Sequence, residues 1–128
     1  MKLGICIPTY NRSFELKNCL NSIYNSYTKF KKLKFEICIS DNGSKEKNLN
    51  TIRTFNKKFK NKVKIKYFRF KNNKGVAPNI LKSISMSKAD FVWAIGDDDL
   101  LMPDAFKKLY NLFEKKKEID YFFINSYN

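Results

Sequence analysis

Short apolar segments alternate with segments of helical periodicity along this chain, and this alternation constrains the fold more than any other feature. LGICIP (3–8), FEICIS (35–40) and DFVWAIG (90–96) are almost continuous apolar runs, typical of strands that are buried on both faces. VKIKYFRF (63–70) alternates apolar and charged residues, which predicts a strand near an edge of the sheet. A fifth strand is predicted over IDYFFINSY (119–127).

The segments between these strands repeat apolar residues every three or four positions, which predicts amphipathic helices. They cover about 13–27, 49–59 and 77–84, and a fourth helix is predicted to have Pro103 at its first position and Asp104 near its N-terminus. The order β-α-β-α-β-α-β-α-β predicts an α/β fold, a mostly parallel sheet with helices on both faces. A length of 128 residues fits one domain over 1–128.

Composition excludes several classes of protein. Hydrophobic residues make up 43% of the chain and aromatic residues 16%, which favours a packed core over disorder. No apolar run approaches the roughly 20 residues that span a bilayer, and the N-terminal segment lacks the apolar core of a signal peptide. Cys6, Cys19 and Cys38 lie in apolar segments and form no CxxC pair, so buried thiols of a cytoplasmic protein are expected.

The net charge of +14 comes from 26 Lys and Arg against 12 Asp and Glu. A basic surface suits nucleic acid or an anionic membrane. AT-rich codons also specify Lys, Asn, Ile and Phe, all abundant here, so function and genome composition explain the charge about equally well. No RNA-binding or zinc-finger signature accompanies it, and specific nucleic-acid binding is not expected.

Polar, aromatic and acidic residues follow the predicted strands at the end where parallel α/β sheets bind ligands. They are Pro8, Thr9, Tyr10 and Arg12 after the first strand, Asp41 after the second, and Asp97, Asp98 and Asp99 after the fourth. Tyr10 offers a ring for stacking a base, and Asp41 can accept a hydrogen bond from a base N–H. Adjacent carboxylates suit Mg²⁺ or Mn²⁺, which completes its shell with phosphate oxygens and water. The pattern predicts a nucleoside diphosphate held through a divalent metal.

Each of these residues also has a purely structural interpretation. Asp41 in SDNGS could close an Asx turn, which would be the better explanation if it stood alone. Tyr10 could be a packing residue, and Arg12 a surface charge at the start of a helix. The three aspartates could cap the helix near Pro103, but a cap needs one carboxylate and three adjacent ones repel each other. For the triplet, a metal site is therefore favoured.

Four motifs in this order, ICIPTYNR, ICISDNGS, NKGVAPN and GDDDLLMPDAF, resemble the N-terminal half of family 2 glycosyltransferases with the GT-A fold. The resemblance covers essentially the whole chain. It implies a Rossmann-like sheet of the nucleotide-diphospho-sugar transferase type. It also implies metal-dependent, inverting transfer of a sugar from a nucleotide-diphosphate sugar, with uracil the expected base. The implied acceptor is a saccharide or a lipid-linked saccharide, as in polysaccharide biosynthesis.

The resemblance also implies roles for individual residues. For the nucleotide, it implies that Thr9, Tyr10 and Arg12 lie on the loop that lines the pocket and that Pro8 shapes this loop. It also implies that Asp41 reads the base. Gly75 and Asn79 are implied to lie near the diphosphate and ribose. For the metal, Asp98 matches the carboxylate of the DxD-type motif, Asp97 lies beside ribose and metal, and Asp99 is an additional acid. Gly96 stands where many relatives carry the first acid of the motif, so the resemblance leaves the division of roles among the three aspartates open.

Relatives in this family continue into a second half that binds the acceptor and supplies the catalytic base, usually Asp or Glu. The acids after the triplet lie on or just after the last predicted helix, and none suits a base: Asp104, Glu114, Glu118 and Asp120. The resemblance therefore implies the donor-binding half of a truncated enzyme. A non-catalytic nucleotide-sugar-binding fragment and a basic nucleic-acid-binding domain are the alternatives. Lys-rich faces would also allow peripheral association with the inner face of an anionic membrane.

Overall fold

The computed structural model describes residues 1–115, 118 and 120–124. Strands and helices alternate along these residues in the predicted order. They are β1 (Lys2–Thr9), α1 (Ser13–Lys29), β2 (Lys34–Asp41), α2 (Leu49–Lys58), β3 (Lys64–Arg69), α3 (Val76–Ser85), β4 (Phe91–Ala94) and α4 (Ala105–Lys115). In the described part of the chain, no helix has the length and apolar character that crossing a membrane requires.

The four strands form one parallel sheet in the order β3-β2-β1-β4. Ile5 at the centre of β1 is in register with Ile37 of β2 and Trp93 of β4. The alternating strand β3 lies at an edge, as predicted. Because all strands point the same way and each of α1, α2 and α3 runs back to the start of the next strand, the carboxyl ends of the strands share one end of the molecule. This geometry confirms the predicted α/β fold.

The two faces of the sheet have different coverings. Alternate residues of the central strands, such as Leu3 and Ile5, face a core that α1, α2 and α4 complete. Phe35 of β2 anchors this core, with its ring centroid 4.7 Å from Phe106 of α4 and 6.0 Å from Phe59 after α2. Helix α3 covers the other face and contacts β1, β2 and β4. The prediction of helices on both faces is therefore confirmed.

A buried carboxylate lies on the α3 face, near the amino ends of the strands. Glu36 is 1% exposed and accepts hydrogen bonds from Lys2 Nζ (2.5 Å) and Lys66 Nζ (3.0 Å). It also accepts from the Lys88 backbone N–H (2.8 Å) and from Ser87 Oγ (3.1 Å). Burial alone would raise its pKa, but these hydrogen bonds outweigh burial and lower the pKa to about 2. Glu36 thus ties three strands and the end of α3 together as a paired charge.

Two predictions about the C-terminal part are wrong. The fourth helix begins at Ala105 and not at Pro103, because the preceding residues form a turn in which Ala105 N–H donates to the Met102 carbonyl (3.0 Å). The fifth strand is not formed over 120–124, while 119 and 125–127 lie outside the described residues. Within 120–124, the ring of Phe122 instead packs against Phe91 of β4 and Phe113 of α4.

Candidate functional site

Three loops meet at the carboxyl end of the sheet because β1 lies between β2 and β4. From the loop after β1, Thr9 Oγ1 donates to Asp97 Oδ2 at 2.7 Å, which ties it to the loop after β4. Asn42 N–H after β2 donates to the Thr9 carbonyl at 2.9 Å, and Asn11 N–H donates to Ser44 Oγ at 2.9 Å. The predicted gathering of the strand-end residues at one site is therefore present.

The three adjacent aspartates have different partners. Asp97 is 6% exposed and accepts from Thr9, whereas Asp98 is exposed and accepts from Arg12 Nη1 at 2.8 Å. Asp99 accepts from the backbone N–H of Gly96 at 2.7 Å and so closes its own turn. Within the described residues, no group of three Asp, Glu, Cys or His side chains is arranged to hold a metal ion. The predicted metal role of all three carboxylates stays a prediction, and Asp97 and Asp98 are the two that share a cation here.

That shared cation is the guanidinium of Arg12. Its Nη1 lies 2.8 Å from Asp98 Oδ2 and 3.5 Å from Asp97 Oδ1. Burial raises the pKa of Asp97, while the Thr9 hydrogen bond and the Arg12 charge act in the opposite direction. The hydrogen bond to Asp98 and the charges of both carboxylates raise the pKa of Arg12. Oxygen atoms of two carboxylates therefore converge on one point that already attracts positive charge.

This convergence fits a hard divalent cation, which takes one or two carboxylates and completes its shell with phosphate and water oxygens. Gly96 gives the side chains of Asp98 and Asp99 room beside this turn. A Cβ added at Gly96 would lie 2.7 Å from Asp98 Oδ1 and 3.2 Å from Asp99 Oδ2. A larger residue at position 96 would therefore crowd the carboxylates of Asp98 and Asp99.

Asp41 is fully buried, and its carboxylate has four hydrogen-bond donors around it. Oδ1 accepts from the backbone N–H (2.8 Å) and the hydroxyl (2.6 Å) of Ser44, which is the Asx turn that the sequence left open. Oδ2 accepts from Asn48 Nδ2 (3.0 Å) and Tyr67 OH (2.7 Å). Burial and the hydrogen bond to Asp41 both raise the pKa of Tyr67. The base-reading role of Asp41 stays a prediction.

Asp41→Ala is expected to lower the free energy of unfolding by about 3 kcal/mol, because Tyr67, Asn48 and Ser44 would lose a buried acceptor. Urea unfolding measures the change, and Glu46→Ala in the exposed part of the same loop is the matched control. Unchanged stability in Asp41→Ala would contradict this structural role. A loss of UDP affinity at unchanged stability would instead favour base reading.

The loop before α3 is held against the end of β2 by Asn42, a residue whose part in the site the sequence did not reveal. Asn42 Nδ2 donates to the Gly75 carbonyl (3.0 Å) and to Asn73 Oδ1 (2.9 Å). Gly75 has φ +94°, a value that favours glycine, and directly precedes α3. From the sequence SDNGS only a turn at Asn42 can be predicted, because the hydrogen-bond partners of Asn42 lie more than 30 positions further along the chain.

Asn79 connects α3 to β1 beneath this loop. Its Nδ2 donates to the Thr9 carbonyl at 3.2 Å, and its Oδ1 is buried without a hydrogen-bond partner among the described protein atoms. Tyr10, by contrast, is 41% exposed and so is partly open to solvent. Pro8 is half-buried at the end of β1. The predicted nucleotide-site residues therefore line the same end of the sheet, from the buried Asn79 to the exposed Tyr10.

Comparison with known proteins identifies the class. The family model described as Glycosyl transferase family 2 matches residues 4–128. The chain therefore belongs to glycosyl transferase family 2. It is 37% identical over 119 residues to the abequosyltransferase RfbV of Salmonella typhimurium, an alignment that covers 93% of this chain and 34% of that protein.

Solved structures agree on the fold. TarS of S. aureus, residues 1–349, superposes with a TM-score of 0.75 at 22% identity, over 90% of this chain and 33% of that one. TarS has also been solved in complex with UDP. The mannosyltransferase PcManGT of Pyrobaculum calidifontis, in complex with GDP-Man and Mn²⁺, has a TM-score of 0.64 at 17% identity, over 77% of this chain and 28% of that one. The chain spans about a third of the length of RfbV and of residues 1–349 of TarS.

Proposed function

We propose that this chain binds a nucleotide-diphosphate sugar at the carboxyl end of its sheet and presents it for transfer to a saccharide or lipid-linked acceptor. The observation that carries the proposal is the contact set joining Thr9 and Arg12 to Asp97 and Asp98. It combines converging carboxylate oxygens with a cationic side chain next to the exposed ring of Tyr10. These are the groups that a metal-bound diphosphate with an attached base requires.

Asp97 and Asp98 would hold the divalent metal, Mn²⁺ or Mg²⁺, which supplies charge neutralisation of the diphosphate leaving group when bound. Thr9 fixes the orientation of Asp97 through its 2.7 Å hydrogen bond. Arg12 contributes a positive charge at the mouth of the site. The Mn²⁺ and the GDP-Man in the PcManGT structure support a metal and a nucleotide sugar for proteins of this fold.

For the base we propose uracil, with Tyr10 stacking on it. The UDP complex of TarS supports uracil, whereas the GDP-Man complex of PcManGT shows that guanine also occurs in this fold. Thermal unfolding of the protein with UDP, GDP, CDP and ADP, each with Mn²⁺, tests the proposal. UDP is expected to raise the melting temperature most. No stabilisation by any nucleotide would contradict donor binding.

A non-catalytic role in nucleotide-sugar binding is the alternative, because none of the acids after the triplet suits a catalytic base by its place in the sequence. Asp104 Oδ2 also lies 2.9 Å from Lys108 Nζ on α4. Release of labelled sugar from a UDP-sugar, with and without saccharide acceptors, separates the two roles. Release above the protein-free rate favours an enzyme, and binding without release favours the alternative.

We further propose a cytoplasmic location with peripheral attachment to an anionic membrane. Exposed lysines gather at the amino end of the sheet, opposite the candidate site, where helices end and strands begin. They are Lys29, Lys31, Lys32, Lys34, Lys57, Lys58, Lys60, Lys62, Lys64 and Lys88. Since each Lys near an anionic surface contributes about 1 kcal/mol, this cluster is the part of the chain best suited to such a surface.

Neutralising four lysines of this cluster is expected to lower binding to vesicles of phosphatidylglycerol and phosphatidylcholine at least about tenfold. The variant combines Lys31→Gln, Lys32→Gln, Lys60→Gln and Lys62→Gln, and vesicle co-sedimentation measures binding. Its matched control removes the same charge at the other end: Lys45→Gln, Lys47→Gln, Lys71→Gln and Lys74→Gln. An equal loss in both variants would show that net charge, and not this surface, controls attachment.

A further inference from the structure

We propose that Arg12 is an internal counter-cation, which pairs with Asp97 and Asp98 before the donor binds and is displaced onto the diphosphate when metal and nucleotide arrive together. The inference rests on the proposed donor-binding function and assigns Arg12 a changing partner within it.

One nitrogen atom makes both contacts. Arg12 Nη1 lies 2.8 Å from Asp98 Oδ2 and 3.5 Å from Asp97 Oδ1, so the guanidinium occupies the point on which these carboxylates converge. Thr9 holds only the other oxygen of Asp97, at 2.7 Å. A divalent ion at the point where Asp98 Oδ2 and Asp97 Oδ1 converge would therefore take the position that the guanidinium nitrogen now holds, and the two cations would repel each other there.

The ion pair between Arg12 and Asp98 is also weak enough to break when a ligand binds. The Arg12 side chain is 50% exposed and that of Asp98 59% exposed, and ion pairs with this much solvent contact contribute little to stability. The planar fork of the guanidinium matches phosphate oxygens as well as carboxylates. A nucleoside diphosphate thus offers Arg12 a new partner at the moment when the metal removes the old one.

Metal and nucleotide should consequently bind with positive coupling, which works equally in both directions. The metal alone must displace Arg12 into solvent, and the nucleotide alone meets carboxylates of its own sign. Only the two together give every charged group a partner. Weak binding of free metal would then protect the site from occupation without donor.

The test is a Mn²⁺ titration without nucleotide, in which electron paramagnetic resonance measures the free ion. Arg12→Gln is expected to bind Mn²⁺ about two- to fivefold more tightly than the wild type, because the competing cation is gone. Arg53→Gln, on the outer surface of α2, removes the same charge away from the site and is expected to bind as the wild type does. Mn²⁺ binding by Arg12→Gln that is equal to or weaker than that of the wild type would overturn the inference. Equal gains in Arg12→Gln and Arg53→Gln would overturn it as well, as would the absence of Mn²⁺ binding by both the wild type and Arg12→Gln.

A second titration, of UDP at saturating Mn²⁺, separates this inference from the proposed function. Arg12→Gln is expected to bind UDP about tenfold more weakly, because a charged hydrogen-bond donor to phosphate is lost. Tighter Mn²⁺ binding by Arg12→Gln with no UDP binding by any variant would refute the donor function and leave the counter-cation role standing. UDP binding by the wild type with unchanged Mn²⁺ affinity in Arg12→Gln would refute the counter-cation role alone.

Discussion

Asp97→Asn is expected to weaken Mn²⁺-dependent UDP binding by about a hundredfold or more. Asparagine preserves the shape of the side chain and an oxygen that accepts from Thr9, so the fold should be retained. It removes the charge of the buried member of the carboxylate pair. Loss of groups that only orient metal ligands already costs about ten- to a hundredfold in metal proteins, and a direct ligand should cost more.

Asp99→Asn is the matched control for this effect. Its carboxylate accepts from the Gly96 backbone within the same turn, and an asparagine oxygen can accept that bond as well. We expect less than about a tenfold loss of UDP affinity in Asp99→Asn. Calorimetry on both variants, with urea unfolding to verify their folds, makes the comparison. Equal losses of UDP affinity in the two variants would show that the three aspartates act as a unit. Unchanged UDP affinity in Asp97→Asn would show that Asp97 does not bind the metal.

Glu36→Ala is expected to have the largest effect on stability, a decrease of about 3–5 kcal/mol in the free energy of unfolding. The substitution leaves the ammonium of Lys66, only partly exposed, without the carboxylate that accepts its hydrogen bond at 3.0 Å. It also removes the acceptor of the Lys88 N–H and the Ser87 hydroxyl. Urea unfolding at pH 7 measures the loss. A decrease below about 1 kcal/mol would mean that solvent replaces these contacts at little cost.

The Glu36 carboxylate also makes the free energy of unfolding depend on pH in the acid range. The folded pKa of Glu36 is about 2, below its ordinary value of 4.5. Its stabilising contribution is therefore complete above pH 4.5 and is lost as the pH falls from 4.5 towards 2. Glu36→Gln should flatten the stability profile in this window, whereas Glu46→Gln, in an exposed loop, should leave it unchanged. Identical profiles for wild type and Glu36→Gln would contradict the assignment.

Most of the fold follows from the sequence because strand and helix periodicities are local. The buried run of β1 was predicted over 3–8 and is found over Lys2–Thr9, and α1 ends two residues beyond its prediction. The segment 119–127 has the same apolar character. Whether such a run pairs with a strand or packs its rings against one depends on tertiary contacts, and the rings of Phe91 and Phe113 hold Phe122 here.

The location of the candidate site could also be predicted from the sequence, because the carboxyl ends of parallel strands lie at the same edge of the sheet. The direction in which each carboxylate points could not be predicted. Three adjacent letters do not reveal that Asp97 turns to Thr9, Asp98 to Arg12 and Asp99 back to its own turn. The four donors around Asp41 come from residues 3, 7 and 26 positions away, and only the nearest follows from a turn motif.

The most direct test of donor binding through a metal is calorimetry with UDP, with and without Mn²⁺, on the wild type and on Asp98→Ala. The wild type is expected to bind UDP at least about tenfold more tightly with Mn²⁺ than without it. Asp98→Ala should bind UDP weakly and show little response to Mn²⁺, because one of the two converging carboxylates is absent. Equal UDP affinity in all four conditions would contradict the metal bridge between this protein and a nucleoside diphosphate.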